Sequence, residues 1–163
     1  MNNIILASKS RVRKEILEAS GIFCDVVPSN VDEDSVKEAL FKENASPEII
    51  SKNLAELKAN KVSMKFYNKL VLGADSVIDL KGKVISKPAD RKDALEILKQ
   101  LNGNSHHLIS SACISKDGNM IWNYTDKATL TMKSFSDNDL ILYLSKISDE
   151  ALYAYNVYQI EGE

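Results

Sequence analysis

The chain has 163 residues, 44% of them apolar and 27% charged, with a formal net charge of −2. That is enough for one domain with a real core, and the balance of charge gives no case for nucleic acid or an anionic membrane as partner. No apolar run approaches the roughly 20 residues that span a bilayer, and no basic segment followed by an apolar stretch opens the chain as a signal peptide would.

Ile4–Ala7 reads as a short buried strand, and from Ser10 onward Val12, Ile16, Leu17 and Ala19 fall at helical spacing, with Ser10 as N-cap and Gly21 as stop. A helix N-terminus offers unpaired N–H groups and the positive end of the dipole. Lys9, Arg11 and Arg13 therefore place positive charge where Asp or Glu would be stabilising. A bound anion, most often phosphate, resolves that conflict; a capped surface helix with solvated basic side chains accounts for this stretch equally well. Ile22–Val27 reads as a second strand ended by Pro28, and residues 29–45 are acidic, then weakly helical.

Ser46-Pro47-Glu48 starts a helix whose face carries Ile50, Leu54, Leu57 and Lys61. Leu70–Leu80 reads as a strand that turns at Lys81-Gly82-Lys83 into Val84–Ile85. Asp90 caps an amphipathic helix with Ala94, Leu95, Ile97, Leu98 and Leu101, ended by Gly103. Residues 107–115 and 119–133 read as two long strands joined at Asp117-Gly118. Ser136 caps a last helix with Leu140, Ile141, Tyr143 and Leu144. Intermixed strands, helices and hairpins make the class α/β or α+β around a mixed sheet.

Asp75 is the most informative residue for chemistry. It follows Gly73-Ala74 in an otherwise apolar strand, where its charge is costly unless paired, solvated or bound to a metal. Gly73 lets a ligand or another backbone approach closely, so the step reads as a bend where a carboxylate enters a cleft. Asp32 and Glu33 form a carboxylate pair outside regular structure. Alone they read as a solvated acidic loop; with Asp75 they supply oxygen ligands of the kind Mg²⁺ takes, one or two carboxylates plus substrate phosphates. Lys87, held extended by Pro88, offers a point charge for phosphate. Lys58 lies beside the apolar stripe of its helix, a position read first as snorkelling. His106 and His107 are neighbours in a strand and face opposite ways, which favours structural roles over shared metal binding. Cys24 and Cys113 lack metal spacing and read as reduced, buried thiols, which with the missing signal peptide makes the expected compartment cytoplasmic.

In order along the chain, LASKSRVRKEIL, VDE (31–33), NLAELKA (53–59), GADSV (73–77), SKP (86–88), LNGNSHH (101–107) and YQIEG (158–162) resemble the Maf family. The resemblance is colinear over nearly the whole chain. It implies an elongated, two-lobed mixed sheet flanked by helices, related to the inosine-triphosphate pyrophosphatases, with the active cleft between the lobes. It also implies a pyrophosphatase that cleaves a nucleoside triphosphate between the α and β phosphates, using Mg²⁺ or Mn²⁺. Carried over by position, Ser8, Arg13, Lys58, Lys87 and Glu161 are expected to bind substrate, while Glu33 and Asp75 hold the metal and carry catalysis. Substrate is the expected partner, without nucleic acid or membrane, and a homodimer is a family-level expectation.

Two departures bear on specificity. The usual SPRR block is Ser10-Arg11-Val12-Arg13 here, and Glu161 stands where the dTTP/UTP branch has Gln. The late block resembles the 7-methyl-GTP branch while GADSV resembles the other, so the base is unassigned. Members usually continue past Gly162 with a further strand, a Gly-Leu-Pro segment and a helix, so residues 1–163 are expected to be a single Maf-like domain truncated at the C-terminus. The resemblance also leaves a second reading open, a nucleotide-binding regulator of septum formation with little catalysis.

Overall fold

The computed structural model describes residues 4–158. The elements run β1 (Ile4–Leu6), α1 (Arg11–Ala19), β2 (Cys24–Val26), α2 (Glu33–Lys42), α3 (Pro47–Ser63) and β3 (Val71–Leu80). They continue with β4 (Lys83–Ile85), α4 (Arg91–Leu101), β5 (Ser105–Lys116), β6 (Asn119–Thr131), α5 (Asp137–Lys146) and α6 (Asp149–Tyr155). The strand order is β2-β1-β3-β5-β6, with β4 paired to β3. Parallel pairing of β1 with β2 and β3 beside antiparallel β3–β4 makes the sheet mixed, as expected. The chain forms two compact units, one of the residues up to Val77 with Ile109–Lys127, the other of Ile78–Leu108 with the residues from Ala128 on. No helix among the described residues is long and apolar enough to cross a membrane.

In the first unit β1 lies between two parallel neighbours, Leu6 opposite Val26 on one side and Leu72 on the other. Parallel strands need a crossover, and α1 supplies it between β1 and β2. Helices α2 and α3 then return the chain to the far side of β1. The winding reverses at this strand, and the carboxyl ends of β1 and β3 frame a switch point, where open sheets present a crevice to ligands. Strand β2 is shorter than the expected Ile22–Val27, and Phe23 is 68% exposed. Its apolar letters belong to an end strand that pairs only with β1 in the sheet order.

Helix α3 covers this part of the sheet. Ser46 caps it by accepting the Ile49 N–H, and its buried face holds Ile50, Ser51, Leu54, Ala55, Lys58, Ala59 and Val62. Leu57, expected on that face, is 40% exposed, while Lys58 is 6% exposed and does not snorkel. Gly73 explains the rotation. A Cβ there would lie 2.7 Å from the Ala59 nitrogen and collide with the Ala55 carbonyl oxygen. The helix backbone rests on the glycine through its alanines, so small residues rather than the largest apolar ones face β3. Strand β3 runs unbroken through Gly73-Ala74-Asp75, and what approaches the glycine is a helix backbone.

The second unit packs Ile78 and Ile85 against Ala94, Ile97, Leu98 and Leu101 of α4, with Leu140 and Leu144 of α5 and Leu152 of α6. Lys81-Gly82 and, in the first unit, Asp117-Gly118 have positive φ at both residues, as two-residue hairpins of the I′ type require. Helix α6 was not anticipated, although Ser148-Asp149-Glu150 carries a cap and first-turn acids; seven residues leave little periodicity to detect. His106 is buried against Tyr158, with Nε2 2.8 Å from the hydroxyl, and His107 Nδ1 lies 3.2 Å from Asp79 Oδ2. The two imidazoles thus have separate partners.

Gly73→Ala inserts a methyl group into helix backbone and should lower the urea-unfolding free energy by about 1–3 kcal/mol. Burial, with His107 nearby, holds the His106 imidazole below its usual pKa. The unfolded chain takes up that proton near pH 6.5 while the folded chain resists it. The contribution is therefore whole above that pH and is lost as pH falls through the lowered folded value. The wild-type urea midpoint should drop more between pH 7 and pH 5 than that of His106→Gln; equal drops would contradict this reading.

Candidate active site

The switch point is where the sequence places its charges. Ser8 lies two residues past Leu6 at the end of β1, and its Oγ accepts the Ser10 N–H at 3.1 Å. Ser10 caps α1 by accepting the Arg13 N–H at 3.4 Å. Arg13, in the first turn, points back toward the sheet: its Nη1 donates to Ser8 Oγ at 3.2 Å and to the Ala74 carbonyl at 2.8 Å. The guanidinium is thereby fixed to the backbone next to Asp75. The neighbouring cations do not share this position. Lys9 is exposed, and Arg11 Nε pairs along the helix with Glu15 at 2.6 Å.

Asp75 and Lys58 meet from β3 and α3. Lys58 Nζ is 2.7 Å from Asp75 Oδ1 and 2.8 Å from Glu33 Oε1. Asp75 is 5% exposed, and its Oδ2 is buried without a hydrogen-bond partner among the described residues. Glu33 is the first residue of α2 rather than part of a loop. Asp32 is that helix's N-cap, accepting the Ser35 N–H at 3.1 Å and its hydroxyl at 2.8 Å. The expected acidic pair is thus divided between a capping residue and one that turns to the buried lysine.

Burial pushes the Asp75 carboxyl above the ordinary carboxylate range; Lys58 and Arg13 pull it back, and Glu33 pushes it further up. Burial likewise lowers the Arg13 guanidinium from its usual value, against the pull of Asp75 and Glu33. The cluster sets two acids against two bases.

Ser51 is a residue that the sequence analysis did not single out. Its hydroxyl donates to the Asp75 carbonyl at 3.1 Å, tying α3 to β3 at the acid itself. The available signal was its spacing: Ser51 and Lys58 lie seven residues apart, two polar side chains on one apolar stripe.

The first unit thus brings together Ser8, Arg13, Glu33, Lys58 and Asp75. Lys87 belongs to the second unit, exposed, two residues beyond β4. Glu161 lies outside the described residues. No group of three His, Cys, Asp or Glu side chains among the described residues is arranged to hold a metal. Two carboxylates, one with an unpartnered buried oxygen, do fit a Mg²⁺ or Mn²⁺ site that phosphate oxygens and water complete.

The family model described as Maf-like protein matches residues 3–163. A Pelagibacter ubique protein named nucleoside triphosphate pyrophosphatase is 69% identical over 163 residues, which are 100% of this chain and 84% of that protein. A Rhizobium etli protein named 7-methyl-GTP pyrophosphatase is 36% identical over 160 residues, 98% of this chain and 80% of that one. Among solved structures, a HAM1 protein from Coxiella burnetii aligns over 79% of this chain and 71% of its own, with a TM-score of 0.46 and 15% identity.

Arg13→Met should remove two charge-assisted hydrogen bonds and leave the Ala74 carbonyl without this donor. The expected loss is about 1.5–3 kcal/mol in urea unfolding; a change within experimental error would show that the guanidinium does not brace β3.

Proposed function

The chain belongs to the Maf-like protein family, and on that footing we propose that it is a nucleoside triphosphate pyrophosphatase. The reaction gives a nucleoside monophosphate and pyrophosphate from a triphosphate and water. The observation that carries the proposal is the buried Lys58–Asp75 pair, joined by the partly exposed Glu33, beside Arg13 at the switch point.

In this reading Glu33 and Asp75 hold a divalent cation, Mg²⁺ or Mn²⁺, which when bound polarises a phosphoryl oxygen and offsets charge. Arg13 and Lys58 neutralise the polyanionic chain, and the Ser8 hydroxyl sits beside the N-terminus of α1, where backbone N–H groups favour phosphate. Asp75 orients the attacking water and accepts its proton. The water oxygen attacks the α-phosphorus, the α–β anhydride bond breaks, and pyrophosphate leaves. Lys87 is a phosphate contact on the strength of the KP match alone. House-cleaning of modified nucleotides is the proposed use, and the relative named 7-methyl-GTP pyrophosphatase makes that compound a substrate to test beside canonical ones.

Pyrophosphate release from a panel of canonical and methylated triphosphates, with Mg²⁺ or Mn²⁺, tests the proposal. Asp75→Asn is expected to fold and to lose about 100- to 10,000-fold in kcat, the range that a positioned general base supplies. Normal turnover by that variant removes Asp75 from the chemistry. Nucleotide binding without release by the wild type would favour the regulatory reading.

A further inference from the structure

One ammonium stands between the two acids proposed to hold the metal. Lys58 Nζ contacts Asp75 Oδ1 at 2.7 Å and Glu33 Oε1 at 2.8 Å, and the lysine side chain is only 7% exposed. Asp75, set this deep, requires a cation, and the lysine that it shares with the partly exposed Glu33 supplies one. A dication placed between the same oxygens would meet the ammonium at contact range, where little water screens their repulsion.

We propose that Lys58 is a positioning residue that occupies the metal site in the nucleotide-free protein and surrenders it when a triphosphate arrives. The inference rests on the assignment of Glu33 and Asp75 as the metal's acids. Lysine suits the exchange: its charge is compact, its stem has four flexible carbons, and its three donors take phosphate oxygens as readily as carboxylates. Arg13 does not suit it, because its guanidinium is already held by the Ala74 carbonyl and Ser8. Among the described residues, Lys58 pairs with two carboxylates, whereas Arg13 is held by a carbonyl and a hydroxyl. The polyphosphate gives the displaced ammonium an alternative anion, so nucleotide and metal bind cooperatively, each strengthening the other by the same factor.

The test is Mn²⁺ binding without nucleotide, followed by electron paramagnetic resonance of the free ion and by the thermal unfolding midpoint. Lys58→Met removes the competing charge and keeps the stem. Its Mn²⁺ affinity should rise at least about tenfold over wild type, within the usual span of coupling factors, and Mn²⁺ should raise its midpoint more than that of wild type. Lys58→Arg keeps the charge and should bind Mn²⁺ as weakly as wild type. Adding Asp75→Asn to Lys58→Met should cancel the gain. A Lys58→Met protein that folds only with Mn²⁺ also supports the proposal. Affinity equal to or weaker than wild type overturns it, as does nucleotide-free wild type binding Mn²⁺ as tightly as the nucleotide complex does. That last comparison needs no variant. If wild type releases pyrophosphate while Lys58→Met gains no affinity, the inference falls and the proposed reaction stands. If Lys58→Met gains affinity but wild type hydrolyses no triphosphate, the role of Lys58 stands and the reaction falls.

Discussion

A carboxylate buried in a sheet must be compensated, and the first unit is organised around compensating Asp75. The acid sits at 5% exposure in the middle of β3. Lys58 answers it from α3, Arg13 fastens to the preceding carbonyl from α1, and Ser51 secures its own carbonyl. Two separate helices, α1 and α3, are thereby registered on Asp75 and the residue before it. An apolar side chain at position 75 would ask for no lysine, and a buried ion pair is poor evidence of stability for its own sake. The arrangement makes better sense as a site than as a support.

What delivers the lysine is a packing contact with no charge in it. Gly73 lets the backbone of α3 settle where a Cβ would stand, and Ala55 and Ala59 are small enough to follow. The helix is therefore turned with Leu57 outward and Lys58 inward. One residue of strand, Ala74, separates the packing glycine from the acid, so steric fit and electrostatic pairing are set by one short segment, Gly73-Ala74-Asp75. The identity of residue 73 bears on function although it carries no functional group.

This also marks what the sequence made legible. Caps and turns were readable because their chemistry is local: Ser10, Ser46, Asp90 and Ser136 all cap helices, and Lys81-Gly82 and Asp117-Gly118 both turn hairpins. The rotation of α3 was not, because size-weighted periodicity counts Leu57 and passes over alanines, whereas the sheet selected smallness opposite Gly73. Glu33 was read as loop because the acids before α2 look alike in sequence, and only the helix start separates the capping Asp32 from the residue that reaches Lys58. The candidate residues themselves came from the order of motifs, and long-range pairing such as Arg13 to Ala74 has no local signature to read.

The charge balance of the cluster sets a condition on what can enter it. Arg13 and Lys58 offset Glu33 and Asp75 one for one when all are ionised. A bare triphosphate would add several negative charges to a pocket with none to spare, and a bare dication would add positive charge to a lysine already in place. Together they add less charge than the bare triphosphate does, and the phosphates give the dication a counter-charge beside the lysine. In the proposed reaction this favours the metal–nucleotide complex over its separate parts. Water-poor surroundings sharpen the preference, since repulsion between like charges grows as the local dielectric falls. Selectivity for the complex would then be a property of the four side chains and their burial, independent of which base the nucleotide carries.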